Sequence, residues 1–132
     1  MASETFSDDS SSGSAQDRAI CLCRSYLSHR GWKVEDKLWG SKKAGPIIVA
    51  EDDGETVLVD VRAAEANGPE TVPELRIFKD DILAMRAACL TYLLDHESIE
   101  SIRHDVCVVS VVGERHARIR HLVSIVRWDG TC

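Results

Sequence analysis

The clearest pattern in the chain is a pair of short apolar runs separated by a polar turn. The first run is residues 47–50 and the second is residues 57–61. Between them, the Asp53-Gly54 pair within the polar stretch 51–55 is a strong signal for a tight turn. Apolar runs of this length, joined by such a turn, are typical of paired antiparallel strands. The pattern therefore predicts a β-hairpin over residues 46–64.

Two other segments repeat their apolar residues at the spacing of an α-helix. In the first, Ala15, Ala19, Cys23 and Tyr26 recur at intervals of three or four, and Gly31 suits the position just after a helix end. This pattern predicts a helix over residues 15–30.

The second helical segment has a broader apolar face. Thr71 and Glu74 have the spacing of a capping box, which favours a helix start close to residue 72. The apolar residues that then recur at intervals of three and four are Leu75, Phe78, Ile82, Met85, Cys89 and Tyr92. We predict a long helix over residues 72–95, with this face turned towards the core.

Three further segments are predicted to be strands. Residues 32–39 alternate imperfectly and indicate an edge-like strand, whereas 106–112 is uniformly apolar and indicates a strand buried on both faces. In the last strand, 117–128, alternation places Ile119, His121, Val123 and Ile125 on one face and Arg118 and Arg120 on the other. The predicted order is αβββαββ, an α/β fold with a mixed five-stranded sheet and two main helices.

Length and composition indicate one domain with an acidic tail. Residues 1–13 are rich in serine and acids and poor in apolar residues, so we expect a disordered tail followed by a single α/β domain over 14–132. The N-terminal stretch lacks the basic and apolar regions of a signal peptide, and no apolar run has the roughly 18 residues of a membrane helix. We expect a cytoplasmic protein with no membrane partner.

The cysteines and histidines show no metal-binding or redox spacing. The five cysteines include Cys21 and Cys23, whose single-residue spacer differs from the two-residue spacer of zinc and redox motifs. We expect reduced thiols, most of them buried as small apolar side chains.

Charge is spread unevenly along the chain, whose net charge is −6. In residues 15–48, seven Lys and Arg against three acids give +4, whereas in 49–100 four against thirteen give −9. The acidic total argues against tight nucleic-acid binding, but basic residues could still form one face. If the domain binds nucleic acid, the contacts should come from Arg18, Arg24, Lys42, Lys43, Arg118 and Arg120. Lys42 and Lys43 are either phosphate contacts or simply solvated.

Asp60 and Arg62 are the candidate site residues of the hairpin. They are two residues apart on one strand, so their side chains point to the same face. A carboxylate with Val59 and Val61 as neighbours needs a partner, a metal or a raised pKa. Asp60 therefore either pairs with Arg62 or lies at an exposed strand end, or it belongs to a functional site.

Several short motifs, in their order along the chain, are similar to those of a known family. The segment Leu58-Val-Asp-Val-Arg62 resembles the Phe-Val-Glu-Val-Lys strand of the YraN-like proteins, small bacterial proteins with a restriction-endonuclease-like fold. The other matching segments are 26–27, 30–32, 67–69, 86–93 and 102–106. The resemblance covers nearly everything after the tail and implies a three-layer core of the restriction-endonuclease type.

The resemblance also implies a metal site. In that superfamily, Mg²⁺ for phosphodiester hydrolysis is held by an Asp on the first hairpin strand and by a Glu/Asp-x-Lys motif on the second. A gap-free count places the family's Asp on Ile47, which should lie across the hairpin from Asp60, and the preceding Glu on Gly45. The Glu of the first helix falls on Ile20. The family's Glu becomes Asp60, and its Lys becomes Arg62, a poor activator of water.

The leading hypothesis is a catalytically degenerate endonuclease-like domain that binds nucleic acid weakly or acts as a scaffold, with no cofactor. Asp60 and Arg62 are then inactive remnants. One alternative is a Mg²⁺- or Mn²⁺-dependent nuclease with a relocated site built from Asp60, Asp17 and the acids at 51–53. The other is an interaction module that forms a homodimer through the last strand and Trp128.

Overall fold

A computed structural model of the chain describes residues 15–40, 46–65, 77–112 and 116–128. Within these ranges there are two helices, α1 (Ala15–His29) and α2 (Lys79–Asp95). The strands of the single sheet are β1 (Lys33–Val34), β2 (Ile47–Asp52), β3 (Glu55–Glu65), β4 (Ile102–Val112) and β5 (His116–Trp128). The predicted order αβββαββ and the mixed five-stranded sheet are confirmed. The predicted tail, the Thr71–Glu74 capping box, Gly45, Lys42 and Lys43 lie outside the described residues.

The spatial order of the strands follows their order in the chain, from β1 to β5. Neighbouring strands are antiparallel, except that β3 and β4 run parallel. A parallel pair needs a crossover connection, and α2 belongs to it. Strand β4 is interior, and residues 106–110 of the apolar run predicted to be buried on both faces are all buried.

The hairpin of β2 and β3 closes with a two-residue turn. Asp53 and Gly54 both have positive φ, 50° and 85°, which is the geometry that matches the twist of two antiparallel strands. This tight turn fixes the register, so that Ile47 lies opposite Asp60, the pairing expected from the sequence.

The helices pack on opposite faces of the sheet and create three layers. On β3, Val57 and Val59 contact the core beneath α1, whereas Leu58 belongs to the core beneath α2. Since side chains alternate along a strand, Asp60 and Arg62 share the α2 face with Leu58.

The end of α1 is fixed by Gly31, which has φ of 88°. Its N–H donates to the Ser28 carbonyl (3.0 Å) and the Trp32 N–H donates to the Leu27 carbonyl (3.2 Å), which is a Schellman motif. Trp32 is thereby turned back into the core with Leu27.

Two predicted boundaries were wrong. Of the predicted strand 32–39 only β1 is regular strand; beyond it, the Glu35 N–H donates to the Val49 carbonyl (2.9 Å) and Trp39 forms an isolated bridge with Ile47. One reason is that Arg24 donates to the carbonyls of Glu35 and Asp36, so these carbonyls are bound to a side chain. The second helix begins at Lys79, and Phe78, predicted to face the core, is extended and 63% exposed.

The face assignment in the last strand was also wrong beyond His121. The register between β4 and β5 shifts between His104 and Val106, and Ser124 has a φ of 61°. At this bulge the side chains no longer alternate between the two faces of the sheet as predicted. As a result Val123 is exposed, and Ile125 packs against the α2-side core.

The described cysteines are free thiols, and Cys23, Cys89 and Cys107 are buried, as the sequence indicated. Burial raises the pKa of the Cys89 thiol to about 12, so that it stays protonated. Among the described residues, neither helix is long and apolar enough to span a membrane.

Candidate functional site

The candidate site of the hairpin lies between β3 and the first turns of α2. Here Asp60 and Arg62 are only partly buried, and Ile47, opposite Asp60, is 2% exposed. Together with Asp81, Met85 and other side chains they border a cavity of about 170 Å³.

Arg62 connects the two carboxylates of this cavity. Its Nε donates to Oδ2 of Asp60 (3.2 Å), and its Nη2 lies 3.4 Å from Oδ1 of Asp81. Asp81 also accepts the Phe78 N–H at its other oxygen (2.8 Å), which caps α2. Of the alternatives for Asp60, the structure therefore shows the ion pair with Arg62.

His104 forms the sheet side of the same cavity and is 1% exposed. Its Nδ1 lies 3.1 Å from the Asp105 carbonyl, and because a carbonyl only accepts, Nδ1 carries the proton. Burial lowers the pKa of His104, an effect that the nearby Asp60 carboxylate only partly offsets. The imidazole is therefore held neutral.

These residues do not fit the Mg²⁺ site that the family resemblance implies. Ile47 presents hydrocarbon where the family has a carboxylate, and the guanidinium of Arg62 pairs with both Asp60 and Asp81. A permanent cation is thus already bound to the oxygens that a metal would need. In the ranges covered by the structure, no group of three or more His, Cys, Asp or Glu side chains could hold a metal ion.

The relocated acidic site is not assembled either. Asp52 lies on the α1 face and binds Arg103 (3.0 Å), on the opposite side of the sheet from Asp60. Asp17 belongs to α1, and Asp53 belongs to the hairpin turn.

The four described basic residues that were expected to contact nucleic acid do not form one surface. Arg18 and Arg24 belong to α1, on one face of the sheet. Arg118 and Arg120 lie opposite Ser110 and Val108 and so project from the other face of β5. β5 is an edge strand, as a dimer through it would need, but Trp128 packs against the α2-side core.

A cluster of buried charges that was not singled out from the sequence lies on the α1 face. Asp105 is fully buried and accepts hydrogen bonds from Nε of Arg103 (3.1 Å), Nε2 of His121 (2.8 Å) and the Ser124 N–H (2.8 Å). Arg103 also binds Glu55 (3.0 Å). Burial alone would raise the pKa of Asp105, but these three donors outweigh it and hold that pKa below its ordinary value.

The cluster continues into α1 through aromatic residues. Since Nε2 of His121 donates to a carboxylate, Nδ1 accepts from the Tyr26 hydroxyl (3.2 Å) when the ring is neutral. Arg30 donates to that hydroxyl (2.9 Å), and the Arg103 guanidinium lies 5.1 Å from the centre of the Trp32 ring. Through these contacts, the cluster links α1 and the turn that follows it to β4 and β5.

The one sequence signal for this cluster is the Arg103-His104-Asp105 run inside an otherwise apolar strand. Charges within a strand that is buried on both faces need partners nearby. The partners come from β2, β3 and β5, and their identity depends on a register that the bulge changes.

Comparison of the chain with protein-family models and with curated protein sequences gives no match.

Proposed function

We propose that the chain is a catalytically degenerate endonuclease-like domain that serves as a nucleic-acid-binding or scaffolding module. The observation that carries this proposal is the pairing of Arg62 with Asp60 and Asp81 beside the buried Ile47. The restriction-endonuclease-like part rests on the motif resemblance, and the order of elements and the hairpin register agree with it.

The chemistry of the Asp60 cavity disfavours hydrolysis. Mg²⁺ requires near-octahedral coordination by oxygen atoms, which Ile47 does not supply. A guanidinium is a hydrogen-bond donor with no acceptor, so Arg62 cannot take a proton from an attacking water. A divalent ion bound by Asp60 and Asp81 would also lie beside the like charge of Arg62.

We expect the purified protein to show no cleavage of plasmid or single-stranded DNA, with or without Mn²⁺. Calorimetry should likewise detect no micromolar Mn²⁺ binding. Wild type and Asp60→Ala should behave alike in both measurements. Mn²⁺-dependent cleavage by wild type that Asp60→Ala abolishes would contradict the proposal. It would favour the alternative, a nuclease with a relocated acidic site around Asp60.

Ile47→Asp is the informative gain-of-carboxylate variant. It buries a second carboxylate opposite Asp60, which we expect to lower the free energy of unfolding by about 1–3 kcal/mol in the absence of metal. Mn²⁺ should restore part of this stability by binding the folded state. The single change should not produce cleavage, for which Asp60→Glu and Arg62→Lys are also needed. Cleavage by Ile47→Asp alone would mean that Arg62 does not block catalysis.

Any binding of nucleic acid should depend on Arg118 and Arg120, which neighbour each other on one face of the edge strand β5. Reversing both charges should weaken binding in a gel-shift titration and reduce the salt slope by about two phosphate contacts. The same double reversal at Lys42 and Lys43 tests the two expected contacts that precede β2 in the sequence.

A matched control reverses Lys79 and Arg86, two exposed cations on α2 that are not in the expected set. An equal loss of nucleic-acid binding in this control would mean that the change in net charge alone explains the effect. It would contradict a specific contact through β5. If wild type shows no salt-dependent gel shift, the proposed binding of nucleic acid is wrong. The scaffolding role then remains, and sedimentation with candidate partners examines it.

A further inference from the structure

A second concave region lies between the C-terminal end of α2 and the sheet edge formed by β1 and β2. This cleft has a volume of about 430 Å³, within the range of small-molecule sites. Val49 and Ile99 are among its apolar lining, and Glu35 and Glu51 are among its charged lining. It shares no residue with the cavity around Asp60.

One wall of the cleft is a stacked pair of rings. The rings of Tyr92 and His96 lie 3.9 Å apart at an interplanar angle of 9°. Nδ1 of His96 lies 2.9 Å from the Tyr92 carbonyl, which can only accept, so the proton is on Nδ1. In the neutral ring Nε2 is therefore left as a hydrogen-bond acceptor.

The Tyr92 hydroxyl is a polar group on this wall that a ligand can reach. The Tyr92 residue as a whole is 4% exposed, and its hydroxyl forms no hydrogen bond with any residue that the structure describes. Its oxygen is not fully buried, so it is open to a partner that enters the cleft. Burial raises the pKa of Tyr92 and the charge of the Glu35 carboxylate raises it further, so the hydroxyl keeps its proton.

The charged groups around the cleft leave an excess of negative charge. The Glu35 carboxylate forms no ion pair with any described residue. Glu51 has an ion pair with Lys33, but the pair is long (3.9 Å) and the Lys33 side chain is largely exposed, so it is weak. The C-terminal end of α2, which carries the negative end of the helix dipole, has no basic residue in its last turn. Cations are therefore favoured at this end.

We propose that this cleft binds an organic ammonium ion that carries an apolar body. An ammonium group is a hydrogen-bond donor only, and three groups that line the cleft can accept from it: the Glu35 carboxylate, the Tyr92 oxygen and Nε2 of His96. The apolar part of the ligand lies against Val49 and Ile99. A free amine and the lysine side chain of a peptide both offer this chemistry.

The test is NMR titration of the full chain with three probes. Phenethylamine and Nα-acetyl-lysine methylamide represent the two sources, and 3-phenylpropionate has a similar body with the opposite charge. We expect at least one cation to bind and to shift the Tyr92 and His96 signals, with 3-phenylpropionate at least about tenfold weaker. Tighter binding of phenethylamine indicates a free amine as ligand, and tighter binding of the lysine derivative indicates a peptide.

Two variants locate the site and one serves as a control. Glu35→Gln should weaken cation binding by about tenfold or more, and Tyr92→Phe, which keeps the ring, should weaken it by several-fold. Glu97→Gln removes an exposed acid that does not line the cleft and should leave binding unchanged. Unchanged thermal unfolding of Glu35→Gln shows that its loss is not a loss of fold.

The proposal is overturned if neither cation shifts these signals or if 3-phenylpropionate binds equally well. It is also overturned if Glu97→Gln weakens binding as much as Glu35→Gln. The cleavage and gel-shift measurements concern the Asp60 cavity and β5, so their outcome is independent of this one.

Discussion

Asp105→Ala is expected to lower the free energy of unfolding by about 3–5 kcal/mol, the usual cost of removing one partner of a buried ion pair. The Asp105 carboxylate is fully buried and accepts from Arg103, His121 and the Ser124 N–H. Without it, the Ser124 N–H and Nε2 of His121 lose their acceptor, and Arg103 keeps only Asp52 and Glu55. Urea unfolding at neutral pH measures the change.

Asp60→Ala is the matched control for this loss. Asp60 is also paired with an arginine two residues away, but the pair is partly exposed and should contribute only about 0–1 kcal/mol. Asp105→Asn keeps an acceptor for the Ser124 N–H but removes the charge. Its loss in the free energy of unfolding should therefore lie between those of Asp105→Ala and Asp60→Ala. Equal small effects of Asp105→Ala and Asp60→Ala would show that the buried cluster does not stabilise the fold.

The second large effect is a loss of stability as the pH falls. Burial lowers the pKa of His104 from its ordinary value of 6.5, so the unfolded chain takes up this proton first. The stability that His104 contributes is therefore complete above about pH 6.5 and is lost as the pH falls towards its folded pKa. Within that window one proton changes stability by about 1.4 kcal/mol per pH unit.

The carboxylates extend the loss to lower pH. The pKa of Glu55 is also lowered, because hydrogen bonds from Ser101 and Arg103 and the charge of Arg127 outweigh the effect of burial. For Asp105 and Glu55, stability is complete above their unfolded values of 3.8 and 4.5 and is lost as the pH falls through their folded values. We expect a first decline below about pH 6.5 and a steeper one in the acid range.

His104→Phe separates the two stages. It removes the titrating group but retains a buried ring, so the decline between pH 7 and 5 should flatten while the acid stage remains. The measurement is a series of urea midpoints from pH 8 to pH 3. A slope between pH 7 and 5 that survives in His104→Phe would assign the first stage to another group.

Local signals explain which parts of the fold could be predicted. The Asp53-Gly54 turn allows only one register between its strands, which is why Ile47 could be placed opposite Asp60 by counting. Gly31 ends α1 as expected, because a left-handed residue is needed at that position. These features depend on a few neighbouring residues.

The failures come from interactions between distant residues. Arg24 binds the carbonyls that would have continued β1, and Ser124, a non-glycine residue with positive φ, reverses the face of the last strand. Nothing in the sequence of the hairpin shows that Asp81 would reach Arg62 from α2. Counting along the sequence brought Asp60, Arg62 and Ile47 together, but it did not predict that Asp81 and His104 would border the same cavity.

The single parallel seam between β3 and β4 also bears on how the chain folds. The β2–β3 and β4–β5 pairs are each antiparallel and join neighbouring stretches of chain, so each can form early. The seam joins strands separated by the whole α2 connection, and its loop-closure entropy must be lost before the two halves meet. Arg103 of β4 then binds Asp52 and Glu55 of the other half, so these ion pairs form only when the halves dock. Docking along this seam is therefore the expected rate-limiting step of folding.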